Sequence, residues 1–137
     1  MKVMVIVKAT ADSETGRMPS TAELEAMGAF NEQLVAAGIM LAGEGLHATR
    51  RGRRLHFGGG APRVEDGPFG PAGDQAAGFW LREVRSMHES TEWASRAPFT
   101  AGNTLELRPM ASLEDFGEAF TPDLQAREQR LREQIER

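Results

Sequence analysis

The segment that most restricts the fold is the first one, Lys2-Val3-Met4-Val5-Ile6-Val7-Lys8, a largely β-branched apolar run closed by a lysine at each end. Successive side chains of a strand point to opposite faces. A run with no polar interior member is therefore apolar on both faces and reads as a central strand covered from both sides. Any sheet that holds it needs one layer of helices and a second cover. The run is also far too short to cross a bilayer, and the start has neither the long apolar stretch nor the cleavage site of a signal peptide. A soluble, cytoplasmic protein without membrane contact is the expectation. The 137 residues suffice for one substantial core. With no cysteine, disulfides, thiolate metal sites and a cysteine nucleophile are excluded, which fits a reducing compartment. A formal charge of −4 argues against a general nucleic-acid binder, whose footprint is a basic face.

Downstream, Ala9 to Pro19 is polar and contains glycine, long for a loop inside one domain and a candidate lid. Ser20-Thr21-Ala22-Glu23 spells a capping box. The helix it opens runs to about Ala37, where Gly38 ends it. Leu24, Met27, Phe30, Leu34 and Val35 fall on one arc of that helix, with Asn31 inside the arc. Strand alternation over Ile39 to His47 puts Met40, Ala42, Glu44 and Leu46 on one face and Ile39, Leu41, Gly43, Gly45 and His47 on the other, so Glu44 and His47 point apart unless a glycine bulge shifts the register. If Arg51-Gly52 forms a two-residue turn, a short strand from Arg53 to Phe57 folds back and sets His56 opposite His47. Asp66-Gly67-Pro68-Phe69 is a turn. A strand from Gly78 to Val84, a helix from the capping box Ser86-Met87-His88-Glu89 to about Ala97, and a strand from Thr104 to Arg108 complete a domain spanning residues 1–110. The tail, residues 111–137, has a different composition. Thr121-Pro122-Asp123 starts a helix to about Glu136. Its stripe of Leu124, Leu131 and Ile135 is too thin to fold alone, so it is expected to lie on the domain or on a second subunit.

The element order is βαββαβ with an extra hairpin strand, the ferredoxin-like α+β plan with two helices on one face of an antiparallel sheet. The other face needs cover, and a second copy of the same sheet is the economical one. That predicts a two-fold homodimer, a dimeric α+β barrel.

Several spaced motifs agree with this plan: Ala37-Gly38-Ile39 through Gly43-Glu44-Gly45-Leu46-His47; Val64 to Phe69 with its Asp-Gly-Pro-Phe core; Gly78-Phe79-Trp80; and Glu92-Trp93 before Arg96-Ala97-Pro98. In the tail, Glu114-Asp115-Phe116-Gly117 and Thr121-Pro122-Asp123-Leu124 join them. Together they resemble the YCII-related domain family and its DGPF branch. The resemblance implies a dimeric α+β barrel and says little about chemistry. Some relatives are proposed small-molecule enzymes, and DGPF members often look like companions of extracytoplasmic-function sigma factors, which makes a sigma-factor-related partner the competing, noncatalytic reading. Where the branch tends to carry a charged run after Phe69, Gly70 to Asp74 keeps one acid, so a family role for a lysine or glutamate at that loop is not carried over.

The candidate catalytic residues are Glu44, His47 and Asp66. Two carboxylates and a histidine suit proton transfer of an isomerase-like or lyase-like kind around a small-molecule ligand. Asn31, Leu46 and Phe69 are the candidate ligand-binding residues. Each has a plainer alternative: an Asx turn at Asp66, an ion pair or strand-edge exposure for Glu44, packing for His47, anchoring of backbone for Asn31. His47 with His56 makes half a metal site at most, so no metal or cofactor is expected. The Gly58-Gly59-Gly60 run lacks the lysine, hydroxyl and helix of a phosphate loop.

Overall fold

The apolar opening run becomes β1 (Lys2–Lys8), and it occupies the interior of the main sheet. The computed structural model describes residues 1–137. After β1 come α1 (Ala11–Glu14), α2 (Thr21–Ala36), β2 (Met40–Gly45), β3 (Arg53–His56), β4 (Arg63–Asp66), β5 (Ala76–Glu83), α3 (Met87–Ser95), β6 (Leu105–Pro109) and α4 (Pro122–Ile135). The main sheet has the order β2-β5-β1-β6 and every pairing in it is antiparallel. With α2 linking β1 to β2 and α3 linking β5 to β6, this is the ferredoxin-like α+β arrangement expected from the element order.

Register divides the sheet into two chemically different faces. Val3, Val5 and Val7 pair with Arg82, Trp80 and Gly78, and this side is covered by the helices. The core there consists of Val3, Val5, Phe30, Leu34, Ile39, Trp80 and Val84. Burying side chains of this size contributes about 1.5–3 kcal/mol each. Met4, Ile6, Phe79 and Leu81 alternate onto the other face, where nothing in the chain covers them, and they are half-buried only by their neighbours.

Several expectations are corrected. Strand β3 pairs with β4 in a separate two-stranded sheet instead of folding back on β2, so His56 faces Arg63 and not His47. Charge favours the pairing: Arg53 meets Asp66 at 3.2 Å and His56 meets Glu65 at 2.8 Å across the two strands, and opposite charges across a ladder are favourable. Residues Thr49–Arg51 form a 3-10 turn. In β2 the register slips between Met40 and Ala42. The extra residue, Leu41, bulges outward, and Met40 moves to the helix side together with Gly43. Leu24 and Val35 are exposed because the buried arc of α2 is centred between Phe30 and Leu34 and leaves both at its margin. Ser20 caps α2 by accepting from the Glu23 amide, but the Glu23 carboxylate turns to Arg17 at 2.8 Å instead of reaching back. That Arg17 contact holds the Glu23 carboxyl below the usual carboxylate range. The candidate lid is partly helical: Thr10 caps α1, and Glu14 at its end ties the segment to Thr49.

One core position has an unusual occupant. Arg82 is fully buried on the helix side, and no side-chain nitrogen of it has a hydrogen-bond partner. Its guanidinium stacks over Trp80 at 4.6 Å and approaches Phe30 at 5.5 Å. Burial pushes its pKa down to about 10, so it stays charged at neutral pH. A depression of that size corresponds to roughly 3 kcal/mol against the charged folded state. Two desolvated cation–π contacts, each worth up to about 2 kcal/mol, offset it. Because the folded-state pKa lies below the unfolded one, this cost is fully present at neutral pH and is relieved as pH rises above about 10. Arg82→Met is therefore expected to be neutral or up to about 2 kcal/mol stabilising in urea unfolding at pH 7. Arg82→Lys, which loses the planar stack and keeps a strongly hydrated charge, should be destabilising. A loss above about 3 kcal/mol in Arg82→Met would show that the guanidinium is paired in the assembled protein.

Candidate functional site

Glycine placement hollows the sheet. Gly43 and Gly45 on β2 and Gly78 on β5 all fall on the helix side, since Gly43 pairs with Trp80 and Gly45 with Gly78. A strand position without a side chain either lets another group approach or leaves space, and both occur here. A Cβ on Gly43 would stand 2.9 Å from Met40 Cε and from Trp80 Cδ1, and one on Gly78 would stand 3.0 Å from the Glu44 carbonyl oxygen. A Cβ on Gly45 would meet nothing within 4 Å. The space above is a cavity of about 290 Å3, floored by the three glycines and walled by Val7, Met27, Asn31, Trp80 and Phe99.

The polar wall is built by α2. Asn31 projects from the same helix as the buried Phe30 and Leu34, and its Oδ1 accepts the indole N–H of Trp80 at 3.0 Å. This satisfies the one polar atom of an otherwise apolar residue and fixes the indole plane. Phe30 and Phe99 flank the indole edge-on, each with ring centroids 6.2 Å away. The result is a rigid aromatic wall with an amide beside it.

Of the six candidate residues, the cavity takes in Asn31 and Glu44. Glu44 borders it on β2, but pairing with Phe79 in a strand that is regular from Ala42 to Gly45 puts its side chain on the open face, where it is exposed. The backbone of Leu46 continues the ladder by donating to the Ala77 carbonyl at 2.8 Å, and its side chain is exposed. Beyond it His47 lies on the surface with Nε2 3.1 Å from Arg51 Nη1. Asp66 pairs with Arg53 at 3.2 Å across the β3–β4 hairpin instead of capping its own turn. Phe69 lies beneath the Arg54 guanidinium at 4.2 Å. Leu46, His47, Asp66 and Phe69 therefore surround the turn after β2, outside the cavity. No three histidine, aspartate or glutamate side chains converge. His56 bonds Glu65 at 2.8 Å and holds that carboxyl below its ordinary range.

A second cluster joins the turn after β2 to the Asp-Gly-Pro-Phe loop. The Thr49 amide donates to the Glu14 carboxylate at 3.0 Å, and the Thr49 hydroxyl donates to its other oxygen while accepting from the Phe69 amide at 3.3 Å. Gly67 crosses so close that a Cβ would fall 1.7 Å from the Thr49 carbonyl oxygen, which makes glycine obligatory there. The Gly67–Pro68 peptide is cis. Buried Gln75 closes the loop by donating to the Phe69 carbonyl at 2.6 Å and accepting from Arg54 at 3.0 Å. Sequence reasoning singled out none of Glu14, Thr49, Arg54 or Gln75 individually. The contacts that give them meaning span 35 residues between Glu14 and Thr49 and 21 between Arg54 and Gln75. The one local signal was Gly67 itself, held in a motif.

With this geometry in place, known proteins offer three comparisons. No curated protein matches the chain. Among solved structures, the chain is similar to 5-chloro-2-hydroxyhydroquinone dehydrochlorinase (TftG) from Burkholderia phenoliruptrix AC1100, solved in complex with 2,5-dihydroxybenzoquinone, at 20% identity over 82% of this chain and 96% of that one, with a TM-score of 0.44. The YCII-related domain matches residues 1–114, which covers β1 through β6 and stops ahead of α4. The chain therefore belongs to the YCII-related domain family.

Proposed function

We propose that the protein is a homodimer that binds a small molecule in the cavity over Gly43, Gly45 and Gly78, and that it carries out acid–base chemistry of an isomerase-like or lyase-like kind. The observation that supports the binding site most strongly is the pairing of an unobstructed Gly45 with a fixed aromatic wall and the Asn31 amide around one concave space. Binding sites for small molecules are typically apolar concavities with a few placed polar groups. Asn31 orients the ligand, and Trp80 and Phe99 supply its apolar contacts.

Proton transfer falls to Glu44 first, because it is the carboxylate on the strand that floors the cavity. His47 and Asp66 join it through the dimer. The open face that carries Glu44 also carries Met4, Ile6, Phe79 and Leu81, and an apolar sheet face of this kind is a surface for a second sheet. Covering it brings a second copy's β2 turn toward Glu44, and with it groups that one chain holds apart. No helix is long and apolar enough to cross a membrane.

Screening a metabolite mixture by ligand-observed NMR and thermal shift tests the cavity. Gly45→Val adds a side chain where a Cβ meets nothing within 4 Å and is expected to weaken every genuine ligand by about tenfold or more, roughly 1.4 kcal/mol, while the fold is retained. Ligands bound equally by both proteins would place the site elsewhere. Glu44→Gln is expected to lower turnover of the identified ligand by about 100-fold or more with little change in its binding; unchanged turnover removes Glu44 from the chemistry. For the assembly, sedimentation of the wild type should give the dimer mass and of Phe79→Asp the monomer mass. A wild type that sediments as a monomer at high concentration would overturn the dimer.

A further inference from the structure

The domain leaves two exposed features without a use. One is the outer face of the β3–β4 hairpin, where Leu55 and Val64 stand side by side at 54% and 55% exposure and Phe57 extends the patch at 80%. The inner face of the same hairpin carries Arg54, which is held on Phe69 and Gln75, so the hairpin is docked on the domain with its apolar side outward. The other feature is the tail. Apart from half-buried Glu128, every residue of α4 is exposed, including Leu124, Leu131 and Ile135 on one stripe, and α4 packs extensively on no element of the domain.

Charge matches the two. Residues 50–66 contain five arginines against two acids, while residues 111–137 contain seven acids against four arginines. The acids are concentrated where the tail begins. The 3-10 segment Leu113–Ala119 holds Glu114, Asp115 and Glu118 and no basic residue, beside the aromatic pair of Phe116 and Phe120. An acidic segment leading into an apolar stripe is complementary to an apolar hairpin face on a segment with an excess of arginines, although on that face itself Arg53 is paired with Asp66.

Sheet topology favours a second copy. The hairpin leaves β2 at the end where Gly45 pairs with Gly78, and β2 is one edge of the sheet. The tail leaves β6, the opposite edge, at the other end, where Pro109 pairs with Val3 and the Met110 amide donates to Lys2. The two departure points are diagonal corners of the sheet, about 20 Å apart by strand rise and spacing, and β6 leaves the sheet heading away from its own hairpin. We infer that the tail of one copy docks on the hairpin of a second copy, with the Leu124, Leu131 and Ile135 stripe on Leu55 and Val64 and the acidic segment toward the arginines. Two-fold symmetry makes the contact reciprocal, so each dimer contains two. Neither surface lines the cavity, so this contact and the cavity reading stand or fall separately.

The chain contains no cysteine, so introduced ones report without background. Full-length Leu55→Cys and Leu131→Cys proteins are mixed and oxidised, and the disulfide-linked species are resolved by mass. The mixed 55–131 species is expected to exceed the 131–131 species about tenfold, because docking holds the two sites at millimolar effective concentration. The excess should fall as salt is raised, since exposed charges are screened, and should be lost when Ile135→Asp is added to the Leu131→Cys chain. A predominant 131–131 product would mean that tails pair with each other and would overturn the inference. So would a chain carrying both cysteines that closes on itself without forming mixed species between singly substituted chains.

Discussion

The helix side of the sheet is arranged around the indole of Trp80. Its N–H is held by Asn31 on α2 at 3.0 Å, Phe30 and Phe99 stand edge-on to it, and Arg82 stacks on its face. A residue of this size on a central strand would normally exclude anything else from the layer. Here β2 gives way beside it: Gly43 lets the ring approach its backbone, and Gly45, one pleat further on, leaves the cavity open. The same ring thus closes the core toward α3 and forms the wall of the cavity toward β2. Its fixed orientation ties the shape of the cavity to the packing of the core.

A second constraint operates at the loops. Thr49 receives contacts from two separate stretches of chain: Glu14 from the segment after β1, and the Asp-Gly-Pro-Phe loop, whose Gly67 packs against the Thr49 carbonyl and whose Phe69 amide donates to its hydroxyl. Only glycine fits at 67, and the aromatic ring at 69 is pinned under Arg54. The conspicuous Asp-Gly-Pro-Phe motif is accounted for largely by this architecture, since its glycine and phenylalanine hold the hairpin to the sheet. Its aspartate faces outward onto Arg53. An exposed pair of this kind contributes about 1 kcal/mol at most.

How far the sequence could be read follows from the range of the interactions involved. The ferredoxin-like order was legible because each element announces itself locally, through the β-branched run of β1, the serine caps of α2 and α3, and Gly38, which takes the left-handed conformation with φ 74° at the end of α2. The bulge at Leu41 was not, because a bulge answers to the partner strand and not to its own residues. It reverses the alternation on which the placement of Met40 depended. The hairpin partner is illegible for a similar reason: turn chemistry at Arg51-Gly52 points to β2, whereas the strand that Arg53 meets, through Asp66, lies 13 residues further on in β4. Asn31 could be singled out as an amide on an apolar stripe, and its partner was a tryptophan 49 residues away.

The alternation that survives, from Ala42 to Gly45, has a consequence for chemistry. Gly43 and Gly45 face the helices, so the side chain between them must face away, and Glu44 shares its face with Phe79. A carboxylate there is solvated in a single chain and has no acid–base partner within its own strand. The cavity and the carboxylate are thus separated by one thickness of sheet at an edge strand, whose free side is the only route by which a ligand in the cavity and a group on the open face can meet. The absence of a side chain at Gly45 leaves that edge unobstructed. A bulky residue at 45 would therefore do more than reduce the volume of the cavity. It would also close the passage around β2, so under the proposed function this glycine is the position where binding and proton transfer would be most tightly linked.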